Sequence, residues 1–267
     1  MDVNLVLSGS GTRFPIFAGA LKALEEKGIN VQKTAGSSGG GLVAACISIA
    51  KLKADDLFNS ILQTDFNSFK DFSLITLVRN YGLYKGDAVE KLAEKITGGI
   101  TFRYVPSDCR IIASSPMDSK PVIFSKDTTP DVKVSAAIRY SISVPLVFGY
   151  KKYNGKPLVD GSLTSNYPID IFNGDVNKTI GLRIMSSDRQ TCCFNKLAIW
   201  DYVGYLIESL ILSIEQEHME DATNAFTIEF DATGINPLNF NVTDIDKHKM
   251  FEIGYDTAKK ALGEWNG

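Results

Sequence analysis

The residues with the clearest chemical potential are serines and glycines. Gly36-Ser37-Ser38-Gly39-Gly40 fits G-x-S-x-G with Ser38 at its centre, between a short strand expected over 31–35 and a small-residue-rich run over 42–51. A strand-to-helix turn of this kind exposes the central hydroxyl and sets it at a helix N-terminus, where developing negative charge is favoured. The flanking Gly36 and Gly40 let the chain turn tightly and let a substrate approach the backbone. Upstream by 29 residues, Gly9 opens a second such turn, Gly9-Ser10-Gly11-Thr12-Arg13. Its backbone N–H groups sit at another helix N-terminus, a ready anion cradle. A dinucleotide fingerprint is excluded, because Phe14 holds the third glycine's place and no acid falls in 31–35. A P-loop is excluded by the missing Gly-Lys-Ser/Thr end. Taken singly, each turn also reads as a plain strand-to-helix connection.

The spacing makes the two turns a pair. One strand–helix–strand unit separates them, and a right-handed crossover brings both out at the same end of a parallel sheet. The N–H groups of Ser10, Gly11 and Thr12 could then face the oxygen of a carbonyl attacked by Ser38.

A serine nucleophile needs a base. The chain has two histidines, His218 and His248, each in a highly charged segment that reads as a solvated helix end. The order Ser38, Asp160, histidine nonetheless matches that of α/β-hydrolases, so a Ser-Asp-His triad stays open. The other candidate base is Asp160 itself, in Pro157-Leu-Val-Asp-Gly-Ser162 at the end of a short apolar run. Asp-Gly is also a common turn pair.

Elements must position these groups. Hydrophobic spacing predicts strands over 3–7 and 31–35, a helix from Pro15 to Lys27 stopped by Gly28, a turn over 36–41 and a helix over 42–51. Residues 54–97 read as several helices carrying exposed-looking aromatics: Phe58, Phe66, Phe69, Phe72, Tyr81 and Tyr84. Strands over 109–115 and 121–125 suit a hairpin, and 131–141 suits a helix. Further on come a strand over 178–184, a long helix over 196–217, a strand over 226–230 and a closing helix over 245–262. No repeat or linker interrupts 1–267, which reads as one α/β domain with a largely parallel core.

Composition narrows the partners. Hydrophobic residues are 44% and charged residues 22%, as in folded globular chains. The net charge of −3 supplies no basic field, so no nucleic-acid partner is expected. No metal-ligand cluster or EF-hand loop is visible, so the expectation is no metal and no cofactor. Cys46, Cys109, Cys192 and Cys193 make no disulfide framework and suggest a reducing compartment. The apolar stretch 39–50 is too short to span a bilayer, and no basic leader opens the chain. The sequence is thus expected to be cytoplasmic or peripheral to a membrane, with the sequons at Asn177 and Asn241 unused.

Four blocks in order resemble the patatin-like phospholipase family. They are Leu7-Ser-Gly-Ser-Gly-Thr-Arg13 with the helix that follows it, Gly36-Ser37-Ser38-Gly39-Gly40, Ser141-Ile-Ser-Val-Pro-Leu-Val-Phe148, and Asp160-Gly161. The resemblance frames residues 5 to about 170. It implies a three-layer α/β/α sandwich and hydrolysis of phospholipid or other lipid esters, with transient contact at a membrane surface. It also implies a Ser38–Asp160 dyad without histidine, and an oxyanion hole in the loop of Ser10, Gly11, Thr12 and Arg13. The sequence departs from the family at Ser10, Phe14 and Ser162, where glycine or another small residue is usual. These changes bear on substrate range and oxyanion alignment more than on reaction class. A non-catalytic lipid-binding protein on the same fold is the rival from another class, and intact Ser38 and Asp160 speak against it.

Lipid access has three candidate elements. The helices of 54–97 could form a lid. The helix over 197–214 keeps its acids, Asp201 and Glu208, with Glu215 just beyond, on one narrow stripe, so most of it faces protein or lipid. Lys151, Lys152 and Lys156 could meet anionic headgroups or simply solvate a loop.

Overall fold

Strand β1 (Asp2–Leu7) opens the fold, with Val3, Leu5 and Leu7 packed on one face of the sheet and Val6 on the other. This computed structural model describes residues 1–185 and 225–265. After β1, a 3₁₀ turn (Gly11–Arg13) leads into α1 (Pro15–Glu26), with Pro15 in its first turn, where a missing N–H costs nothing. Strand β2 (Asn30–Ser37) returns parallel to β1 and passes directly into α2 (Ser38–Ser48).

Residues after α2 build a helical excursion: α3 (Ala54–Leu62), a 3₁₀ turn (Phe66–Phe69), α4 (Leu74–Asn80), β3 (Gly82–Tyr84) and α5 (Asp87–Thr97). The sheet resumes with β4 (Cys109–Ser115) and its antiparallel partner β5 (Lys120–Phe124). Next come α6 (Val134–Ser141), β6 (Leu146–Phe148), β7 (Lys151–Tyr153), β8 (Lys156–Asp160) and α7 (Ser162–Ser165). Strands β9 (Lys178–Met185) and β10 (Ala225–Asp231) and helix α8 (Asp244–Glu264) complete the described chain. A Thr243–Asp246 capping box starts α8.

The central sheet runs β10-β9-β1-β2-β4-β8-β7, with β5 also paired to β4. Every pairing from β10 to β4 is parallel, and the pairings of β5, β7 and β8 are antiparallel. This is the expected α/β fold with a mixed, largely parallel sheet flanked by helices. Leu5, Leu7, Ile111 and Ala113 pack with residues of α1, α2, α6 and α8. Val6, Ala35 and Ile112 pack on the opposite face against Tyr167, Ile169 and Phe172. A short second sheet pairs β3 with β6.

One register positions the chemistry. Ile112 pairs with Ser37 of β2 and Ile123 of β5; Ala113 pairs with Asp160 of β8 and Val122 of β5. A strand has two edges, and β5 occupies one of them. Strands β2 and β8 therefore share the other edge of β4, pointing in opposite directions and ending at adjacent residues.

Several expectations are corrected. The turn over 36–41 does not exist as a loop: the strand reaches Ser37 and the helix begins at Ser38, because Ser38 alone reverses the chain at φ +51°. The helix expected from 131 starts at Val134, because Val132 and Val134 donate their N–H groups to Thr129 O and Ile100 O outside it. Phe66 and Phe69 are buried, held by stacking on each other, by Phe14 and by the Lys247 ammonium over Phe66. Phe72 and Tyr81 are exposed as expected. The helix predicted over 196–217, Cys192, Cys193 and His218 lie outside the described residues.

Candidate active site

Ser38 and Asp160 meet where β2 and β8 end. Ser38 Oγ donates a 2.7 Å hydrogen bond to Asp160 Oδ2. Both side chains are buried, at 6% and 2% exposure. Asp160 Oδ1 accepts the Ser162 N–H at 2.9 Å. Burial in this pocket pushes the Asp160 carboxyl up to about 6, with the hydrogen bonds from Ser38 and Ser162 opposing the shift. A carboxylate of that basicity is still ionised at neutral pH, yet takes a proton far more readily than a solvated aspartate.

The serine is held in a strained conformation that its neighbours determine. Its φ of +51° is unfavourable for a residue with a Cβ. Its N–H donates to Ser141 Oγ at 2.8 Å, and the Ser141 hydroxyl donates to Ile112 O at 2.5 Å. The elbow is packed onto the sheet. A Cβ at Gly36 would lie 2.5 Å from the Gly40 carbonyl carbon, and one at Gly40 would lie 2.3 Å from Ser8 O. Both predicted elbow glycines are required by close approach of backbone.

The loop of Ser141-Ile-Ser-Val-Pro-Leu-Val-Phe148 holds the aspartate as well. Asp160 N–H donates to Ser143 O at 3.0 Å, and Gly161 N–H to Ser141 O at 3.1 Å. Arg139 is fully buried beneath this loop. Its Nη1 donates to Ser143 Oγ at 2.6 Å; its Nη2 donates to Gly149 O at 2.6 Å and to Lys85 O. Desolvation lowers the Arg139 pKa, and three carbonyl or hydroxyl acceptors take the place of a carboxylate partner.

The loop of Ser10, Gly11, Thr12 and Arg13 abuts the elbow. A Cβ on Gly39 would lie 2.3 Å from Ser10 Oγ and 2.8 Å from Gly11 O. The four expected oxyanion donors are not equivalent. Thr12 N–H donates to Pro237 O at 2.8 Å, and Arg13 N–H to Ser10 O at 3.0 Å, so neither backbone N–H is open to a ligand. The N–H groups of Ser10 and Gly11 donate to no other group among the described residues. That narrowing follows from the loop's tight 3₁₀ turn and from a long-range contact with Pro237.

A cavity of about 510 Å³ begins beside this loop. Phe14 and Leu42 line it, and Leu42 lies one helical turn beyond Ser38. Its remaining wall is mostly apolar and comes largely from residues 57–69 and 88–96. Phe14 is wedged into that wall, 4.9 Å from Phe66 between ring centres. Cys46 also lines the cavity, and burial holds its thiol up at about 12, too weak an acid to serve as a nucleophile.

The remaining candidates fall elsewhere. His248 is exposed on α8, with Nδ1 2.7 Å from Asp244 O and its ring edge on Phe58. Lys151 pairs with Asp87 and Glu90, and Lys156 with Asp118. No described helix is long and apolar enough to cross a membrane. Sequence reasoning did not single out four supporting residues: Ser141, Ser143, Arg139 and Pro237. The first three lie in the quoted block or at its edge; Pro237 carries no local signal.

Comparison with known proteins agrees with this construction. An uncharacterized protein of Acanthamoeba polyphaga mimivirus is 28% identical over 97% of this chain and 93% of its own length. A probable lipid hydrolase of Invertebrate iridescent virus 6 is 29% identical over 63% of this chain and 62% of its own. Among solved structures, VipD from Legionella pneumophila superposes with a TM-score of 0.65 at 14% identity, over 98% of this chain and 66% of that one. The type III effector ExoU of Pseudomonas aeruginosa superposes with a TM-score of 0.57 at 16% identity, and this chain spans 53% of it. At such identities these two likenesses establish the fold. A family model described as patatin-like phospholipase matches residues 5–173, which carry both strand-end turns, Ser38 and Asp160: the chain belongs to the patatin-like phospholipase family.

Proposed function

We propose that the protein hydrolyses carboxylic esters of phospholipids or related lipids through a Ser38–Asp160 dyad. The observation that carries this reading is the direct, buried 2.7 Å hydrogen bond from Ser38 Oγ to Asp160 Oδ2. No histidine stands between the two groups, which favours the dyad over a Ser-Asp-His triad.

Ser38 Oγ attacks the ester carbonyl carbon while its proton passes to Asp160 Oδ2. The oxygen that becomes negative is met by the N–H groups of Ser10 and Gly11. The tetrahedral intermediate collapses, the C–O bond to the alcohol breaks, and Asp160 returns the proton to the departing oxygen. An acyl-Ser38 ester remains. Water then gives a proton to Asp160 and attacks the acyl carbon; Ser38 leaves and recovers that proton, and the fatty acid is released. The chain needs no cofactor for these steps. The acyl chain occupies the cavity beyond Phe14 and Leu42, with residues 54–97 of this single domain serving as its lid.

A fluorophosphonate probe and a mixed phospholipid extract test the reading together. The wild-type protein should label once, on Ser38, and should release fatty acids and lysophospholipids detected by mass spectrometry. Ser38→Ala should do neither. Equal labelling of the two proteins would overturn the assignment.

A further inference from the structure

Helix α4 has its polarity reversed. Its inward residues are Thr76 and Asn80: a Cβ on Gly149 would lie 2.3 Å from Thr76 Cγ2, and Asn80 Nδ2 donates to Tyr150 O at 3.2 Å. Its outward residues are apolar. Leu74, Ile75, Val78 and the following Tyr81 are each 65–73% exposed, and α4 buries no residue at all. Leu146, paired with Gly82 across the small β3–β6 sheet, is also exposed and is held at φ +67°. Soluble surfaces scatter such residues singly; a contiguous cluster marks a docking surface.

Charge identifies what docks. Helix α4 contains no acid, and its one charge is Arg79. Lys85 follows β3 directly. Neither cation pairs with a carboxylate among the described residues. The acids that flank this segment in sequence have other partners: Asp71 accepts the Gly86 and Ala88 N–H groups, while Asp87 and Glu90 hold Lys151. On a chain of net charge −3, exposed aliphatic side chains next to two cations that form no ion pair among the described residues match an anionic bilayer surface. Leu146 belongs to the same loop as Ser141, which holds the Ser38 N–H.

We propose that α4 and Leu146 seat in the boundary between headgroups and acyl chains of an anionic phospholipid bilayer, with Arg79 and Lys85 taking lipid phosphates. This rests on the lipid-hydrolase reading only for its purpose, which is to bring the Ser38 site to its substrate.

The test is flotation of the full-length Ser38→Ala protein with vesicles of phosphatidylcholine alone or with phosphatidylserine added. Ile75→Ser with Val78→Ser should weaken partitioning by about tenfold or more, since two aliphatic side chains no longer gain by leaving water. Arg79→Gln with Lys85→Gln should remove the preference for phosphatidylserine. In a Ser38-intact background both pairs should still hydrolyse a soluble short-chain ester, because no altered residue touches the dyad or lines the cavity. Undiminished flotation of the Ile75/Val78 pair would overturn the proposal. So would a dimer in sedimentation that this pair splits into monomers, since a second copy would then cover the patch. Vesicle binding needs no catalysis. Loss of flotation without ester hydrolysis by any form would leave the docking surface standing and remove the hydrolase reading instead.

Discussion

Ser37 and Asp160 face consecutive residues, Ile112 and Ala113, on a single edge of β4. Two strands arriving from opposite directions stop there, and the residue after Ser37 reaches across the gap to the carboxylate at 2.7 Å. The dyad is therefore a product of sheet register. A slip of one residue in either pairing would turn one partner to the wrong face.

The first prediction concerns pH. In the proposed dyad Asp160 is a base only when ionised, and burial pushes its carboxyl up to about 6. Ester hydrolysis should fall about tenfold per unit as pH drops below that value, and should be flat above about 7. Stability has the opposite sign. A carboxyl whose folded pKa is raised favours the fold most when protonated, so its contribution is lost as pH rises from its unfolded value of 3.8 through about 6. Asp160→Asn removes that burden and should stabilise the protein at pH 8 by up to about 3 kcal/mol, with little gain at pH 4. Urea melts at both pH values check this.

The second prediction concerns Ser141. Ser141→Ala leaves the Ser38 N–H buried without its acceptor, at a cost of about 1–3 kcal/mol. The strained φ at Ser38 would relax with it, so kcat should fall at least about tenfold while KM changes little. Ser141→Thr keeps the hydroxyl and should restore part of the rate. A stability loss with unaltered kcat would show that Ser141 merely packs.

The third prediction concerns Arg139. Three acceptors converge on its guanidinium, which ties the loop from Ser143 to Gly149 and thereby Asp160. Arg139→Ala should cost about 3–5 kcal/mol by denaturant unfolding. Arg139→Lys should recover little of it, because an ammonium cannot span a fork of this shape.

The fourth prediction concerns Phe14. Its ring lines the cavity and packs on Phe66. Phe14→Ala should cost about 3–5 kcal/mol and enlarge the cavity. The ratio of kcat/KM for long over short acyl chains should rise, as measured on a chain-length series of soluble esters.

The strand–turn–helix units around Ser10 and Ser38 were legible because each short strand runs into a glycine-rich turn, and because Pro15 and Gly28 bracket α1. Asp160 was legible from residue type and its place after an apolar run. The burial of Phe66 and Phe69 was not, because it depends on Phe14 and Lys247, distant in sequence. Nor was the division of the Ser10–Arg13 loop, where Pro237 takes the Thr12 N–H across a sequence separation that no local pattern reports. The reversed polarity of α4 was hidden for a related reason. It depends on Gly149 and Tyr150, distant in sequence, which occupy the polar side of the helix.

The most direct measurement sets two proteins side by side on one ester: His218→Gln with His248→Gln, and Asp160→Asn. A Ser38–Asp160 dyad predicts that the histidine-free protein retains its kcat within about twofold, while Asp160→Asn falls by about 10⁴ or more with its fold intact. Collapse of the histidine-free activity in a folded protein, with Asp160→Asn still turning over, would contradict it.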